Sequence, residues 1–243
     1  MRKITLLAIL LIATISAHAQ NIQFHHDFGR DLYPKEEAGR PRHTMTVEQF
    51  KADKWGSWFY FIDIDFSSRF TEGAYTEVSR EFNLGKQSPL AAHIEYNGGL
   101  GRGYTIQHAT LIGPAWNGHS ADFSKTYSVQ LMYKQYFKGD EGTHAYSSVQ
   151  LTGVWGITFA HKACTFSGFI DLWRGEKANR HGQLVILTEP QLWYNLNTLK
   201  GFEAVNLSVG TEVEFSHHFI FNTDPNSHRD TFINPTLALK WTF

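Results

Sequence analysis

The sequence predicts an all-β chain: a transmembrane, antiparallel, up-and-down β-barrel of about 12 strands. Three observations point there. Apolar and polar residues alternate with period 2 along most of the chain, and no segment shows a convincing period of 3.6. The candidate strands form an even set, as in bacterial single-chain barrels, and lengths of about nine residues or more suit a tilted membrane crossing. Trp and Tyr lie near the ends of the apolar faces, where an aromatic girdle would sit.

The elements follow in order. Arg2 and Lys3 precede an apolar run from Ile4 to Ile15, and Ala17 and Ala19 stand at the small-residue positions of a cleavage site before Gln20. Residues 1–19 are therefore expected to be a signal peptide, and residues 20–243 one barrel domain. Strands are expected near 21–28, 43–50, 57–66, 74–84, 89–97, 104–112, 124–137, 144–159, 163–173, 183–194, 203–216 and 231–243. In the third, Trp58, Tyr60, Ile62, Ile64 and Phe66 share one face, while Phe59, Phe61, Asp63 and Asp65 share the other. Similar alternation marks the seventh, eighth, eleventh and twelfth, and is weakest in the sixth. With the N-terminus periplasmic, the long connections 29–42 and 217–230 fall outside, as barrel loops usually do. Residues 113–123 form a long periplasmic connection that breaks this rule.

Composition narrows the classes. The chain has 243 residues, 15% aromatic, with one cysteine (Cys164) and a formal net charge of −1. That excludes disorder, a disulfide framework, a Cys-rich zinc module and a basic nucleic-acid footprint. A mean hydropathy of −0.32 suits a soluble domain on its face. A barrel gives the same average, because an apolar exterior and a polar lumen cancel. A soluble sandwich is the competing architecture, and alternation alone does not separate the two.

If the apolar faces meet lipid, the inward set is acidic and aromatic. It holds Asp27, Glu48, Asp63, Asp65, Glu77, Glu81, Glu95, Glu189, Glu212 and Glu214, with Phe59, Phe61 and Trp193, and with His25, His93, Lys134 and Lys240. Carboxylates accept hydrogen bonds from hydroxyl and ring N–H groups, and planar rings stack on aromatic faces. Such a lumen suits small, polar, neutral or cationic solutes and repels anions. Alternatively, these charges pair with Lys and Arg and plug the barrel.

The run Thr44–Phe66, TMTVEQFKADKWGSWFYFIDIDF, resembles the second and third strands of the nucleoside-specific channel-forming outer-membrane family (Tsx-like), and EVSREFNL at Glu77–Leu84 resembles its next strand. The whole chain is similar to outer-membrane relatives grouped as a domain of unknown function. The resemblance implies a narrow nucleoside-selective channel lined by Glu48, Phe50, Phe59, Phe61, Asp63, Asp65, Glu77 and Glu81. The ending, with Leu239, Trp241 and Phe243 on one face, resembles the signal read by the outer-membrane barrel-assembly machinery. The expected setting is the bacterial outer membrane, with membrane lipid and lipopolysaccharide around the barrel.

Rival functions have weaker support. An outer-membrane lipid hydrolase could place His-x-Ser on one strand face, but no His here has Ser two residues on. Asp63 and Asp65 could serve an acid-pair hydrolase, although a solvated lumen face is their commoner role. Adjacent His25–His26 and His217–His218 diverge on strands and give no metal-ligand spacing. A non-transporting structural barrel or adhesin remains the alternative to a channel. No enzyme, metal or cofactor is expected.

Overall fold

Residues that alternate apolar and polar pair best in antiparallel ladders that keep each set on its own face. The computed structural model describes residues 20–67, 70–86, 88–140, 143–177 and 180–243; the expected signal peptide lies outside them. The strands are β1 (Gln20–Asp27), β2 (His43–Asp53), β3 (Gly56–Phe66), β4 (Thr71–Asn83), β5 (Leu90–Gly101), β6 (Tyr104–His119), β7 (Lys125–Tyr136), β8 (Tyr146–Phe159), β9 (Cys164–Lys177), β10 (Arg180–Thr188), β11 (Gln191–Asn195), β12 (Leu207–His217) and β13 (Thr231–Thr242). Apart from β10 and β11, each pairs antiparallel with its neighbours in sequence, and β13 pairs with β1 to close the ring.

β10 and β11 are two halves of one crossing. Both pair with β9 on one side and β12 on the other. The break falls at Glu189 and Pro190, where proline has no N–H to donate. Backbone bonds from Glu189 N to Phe169 O and from Val213 N to Pro190 O carry the ladder across it. Gly168 stands opposite with φ +152°, and a β-carbon there would lie 2.6 Å from the Glu189 carbonyl oxygen. The result is a closed antiparallel barrel of 12 crossings, as expected.

One expected connection is corrected. β6 does not end at Ile112 but runs on to His119, so the long periplasmic loop at 113–123 shrinks to 120–124. The ladder to β7 passes over Gly113 and Pro114, then resumes in the same register from Ile112↔Tyr133 to Ala115↔Gln130. That gap explains why the alternation fades there. The end bearing both termini carries short turns at 54–55 and 160–163, and one longer segment at 196–206 around a short 3-10 turn, Leu196–Thr198. The other end carries the two long segments, 28–42 and 218–230.

Outward faces are apolar and exposed, as in Ile94, Leu131, Val149 and Leu237. Of the seven Trp, five (Trp55, Trp58, Trp116, Trp155 and Trp241) gather at the terminus-bearing end. Trp173 joins Trp193 inside, so the interior holds two Trp rather than the single one expected.

Two predictions follow from closure. Unboiled protein should migrate differently from boiled protein on SDS gels, and equal mobility would count against a closed barrel. Gly56 sits at φ +155°, and a β-carbon there would lie 2.1 Å from the Glu81 carbonyl oxygen. Gly56→Ala should therefore cost at least about 2 kcal/mol, read from the urea midpoint in detergent.

Candidate functional site in the barrel lumen

The register of β2 to β5 lines up the inward side chains in rows around the wall. Thr46, Asp63 and Tyr75 form one row; Glu48, Phe61, Glu77 and Asn97 form the next; Phe50, Phe59, Ser79 and Glu95 a third. Three rings therefore descend as a ladder, with centroids 6.1 Å apart for Phe59–Phe61 and 6.0 Å for Phe61–Tyr75. Carboxylates flank it on both sides. These side chains are only partly buried, so the ladder faces open lumen.

Most acids here are held by neutral donors. Thr44 donates to Asp65 at 2.7 Å, Asn21 to Glu48 at 3.0 Å, and Tyr75 to Glu77 at 2.7 Å. Thr46 donates to Asp63, and Asn97 reaches Glu77 and Glu95. The exceptions are Glu81 and Glu95, which His93 bridges at 3.2 and 3.1 Å through both ring nitrogens as an ion pair, with Asn117 also donating to Glu81. A neutral donor fixes a carboxylate without cancelling its charge. The plugged arrangement, acids paired throughout with Lys and Arg, is not what the lumen shows.

Across the lumen, Gln191 donates to Glu212 at 2.6 Å and accepts from the Trp193 indole at 2.9 Å. Lys240 lies over the Trp193 ring, 4.2 Å from its centroid, and the His25 ring meets Trp193 edge-on. Glu189, at the strand break, feels the charges of Glu212, Glu214 and Asp63. Among the described side chains, the inward Lys and Arg are Arg40, Lys134 and Lys240, set against a larger number of acids. Lys134 is enclosed by the Tyr136 and Trp173 rings and donates to Gln150.

The expected lining residues all lie on inward faces, but they do not all meet. Phe50 is at the terminus-bearing mouth and largely exposed. There a cavity of about 570 Å³ is lined by Thr158, Thr165, Asn195, Ser208 and Thr242, one inward position outside Trp193 and Lys240. Leu239 and Trp241 are exposed on the outer face, and Phe243 packs against Trp241 at 5.1 Å. Among the described residues no three His, Cys, Asp or Glu gather as a metal site. His217 instead bonds Thr231, and His218 pairs with Asp230.

A family described as a domain of unknown function (DUF5020) matches residues 19–243. The chain belongs to that family. No curated protein matches the chain in sequence. Among solved structures, the NanC porin aligns with a TM-score of 0.59 at 10% identity, covering 93% of this chain and all of that one. At that identity the likeness shows the fold alone: a porin-like barrel. The KdgM porin in complex with disordered oligogalacturonate (TM-score 0.49, 14% identity, 93% and 99% covered) and LpxR from Salmonella typhimurium (0.46, 9%, 93% and 100%) are more distant and decide nothing further.

The DUF5020 lumen also holds groups that sequence reasoning passed over. Asp171 faces inward and accepts from Thr152, but its neighbours Phe169, Ile170, Leu172 and Trp173 make both faces of β9 apolar and hide it. Leu111 and Met132 are fully buried inside, with Ala109, and Val185 and Leu187 pack with Trp173. The β6–β10 wall thus sets an apolar cluster among the inward Gln130, Lys134, Gln150, Thr152 and Asp171. Tyr75 was visible in principle, since it shares parity with Glu77 and Glu81. Arg40 comes from the 28–42 segment and reaches Asp27 at 2.9 Å and Glu214 at 2.8 Å.

The lumen's hydrogen bonds can be weighed directly. Thr46→Val takes a hydroxyl from Asp63 while keeping the side chain's shape. It should destabilise the barrel by about 1–3 kcal/mol, seen as a lower urea midpoint.

Proposed function

We propose that this DUF5020 barrel is an outer-membrane channel for passive uptake of small polar solutes, with nucleosides as its substrates. The observation that carries the reading is the Phe59–Phe61–Tyr75 ladder set between Asp63, Glu48 and Glu77. A nucleoside has what this wall takes: a planar base for the rings, and sugar hydroxyls and ring N–H donors for carboxylate oxygens. The uncancelled acids oppose nucleotides and other anions. The resemblance of residues 44–66 and 77–84 to the nucleoside-channel family supports the same choice. In this reading the chain is exported by its N-terminal signal. It enters a lipopolysaccharide-containing outer membrane through the barrel-assembly machinery, which reads Leu239, Trp241 and Phe243.

Planar-bilayer recording tests it. The channel should prefer cations, and nucleosides should block the current reversibly while their 5′-monophosphates block it far less. Stacking contributes roughly 1–3 kcal/mol per base, so Phe61→Ala should weaken block about tenfold. Absence of any conductance would leave a structural barrel. Block by sugars or peptides but not nucleosides would replace the substrate.

A further inference from the structure

The 28–42 segment folds over the long-loop mouth and is tied down on two sides. A short helix, α1 (Gly29–Leu32), opens it. Tyr33 packs edge-on against Phe232 of β13, and its hydroxyl accepts from Ile233 N. Glu36 O accepts from Thr223 N, and the Glu36 carboxylate takes Ser227, both in the other long segment. Arg40 reaches down between Asp27 and Glu214.

Glu37 is the unusual member. It comes from a surface segment, yet it is 2% exposed. Its Oε1 accepts from Nδ2 of Asn234, itself fully buried, at 2.8 Å. The remaining oxygens of the two groups, Glu37 Oε2 and Asn234 Oδ1, are both buried without a partner. They border the same point: a β-carbon on Gly29 would lie 2.7 Å from the first and 2.6 Å from the second. Two acceptors side by side in a buried site are unfavourable. Exchanging the amide O and N only transfers the conflict to the other carboxyl oxygen. One proton removes it, because Oε2–H can donate to Oδ1 while Nδ2 donates to Oε1. Acid and amide then form a cyclic pair with every atom satisfied.

We propose that the 28–42 segment is a lid held over the mouth by protonated Glu37 paired with Asn234, and that loss of this proton releases it. Three charged groups surround Glu37: Arg40 on its own segment, 3.5 Å from Oε1, Asp27 on β1 and Glu214 on β12. β13 presents the neutral Asn234. Arg40 favours the carboxylate but is engaged by Asp27 and Glu214, which favour the acid. Burial is the largest influence and pushes the Glu37 carboxyl above its ordinary value. The sign follows. The closed lid binds a proton that an open, hydrated Glu37 gives up, so closure is favoured as pH falls and is lost as pH rises through the raised value. That the lid controls flux rests on the channel reading; the latch itself does not.

The test uses the full barrel in liposomes, with Cys164→Ser and a nitroxide on Lys35→Cys. On going from about pH 5 to about pH 8, across the range into which a buried carboxyl can be raised, the mobile spectral component should rise severalfold. Glu37→Gln keeps the cyclic pair without a titratable proton, so its label should stay immobile at both pH values. Gly29→Ala, whose methyl displaces both oxygens, should be mobile at both. Wild-type spectra that do not change with pH, or Glu37→Gln titrating like wild type, would overturn the latch. Conductance measured in parallel separates the two readings. A label that responds in a barrel without current leaves the latch and removes the channel. Current without a label response does the reverse.

Discussion

A strand surrounded by hydrocarbon has no water to satisfy its backbone, so each N–H and C=O must find a partner in a neighbouring strand. The pairing of β13 with β1 meets that demand and everything else in the barrel depends on it. Once the ring is closed, period 2 assigns each residue to the outer face or the lumen without further choice. Two of the places where the ladder is interrupted, Gly113–Pro114 within β6 and Glu189–Pro190 between β10 and β11, each hold a proline. Both are bridged by neighbours rather than by a change of register.

Closure also sets the electrostatics. Side chains of the inward rows cannot turn away from one another, so Asp63 and Glu212 feel each other across the lumen. The neutral donors Thr44, Thr46, Asn21 and Gln191 fix these acids in direction while leaving their charge intact. A stability-only solution would have used Lys and Arg on the facing strands. Among the described residues the arginine inside, Arg40, comes from a surface segment, where it can leave without opening the barrel wall.

The architecture was legible because it rests on the simplest periodicity. The faces of β3, with Trp58 to Phe66 outward and Phe59 to Asp65 inward, follow from parity alone. What escaped had specific causes. β6 looked shorter than it is because Gly113 and Pro114 blur the alternation, although an extended chain tolerates both. Leu111 and Val185 escaped because they lie on strands with apolar residues on both faces, where parity carries little contrast; Met132 was legible, since in β7 it shares parity with Gln130 and Lys134. Arg40 and Glu37 escaped for a different reason. Nothing in a loop sequence tells whether its charged residues turn to solvent or into the mouth below.

The division of the inner wall has a consequence for anything that enters. Strands β2 to β5 carry most of the inward carboxylates, while β6 to β10 carry Lys134, Gln130, Gln150 and Thr152, one acid, Asp171, and a buried apolar cluster around Leu111, Met132 and Trp173. A molecule between them meets more negative charge on one side than on the other, so the field has a component across the barrel axis. A dipolar molecule in that space is turned so that its positive end faces β2 to β5.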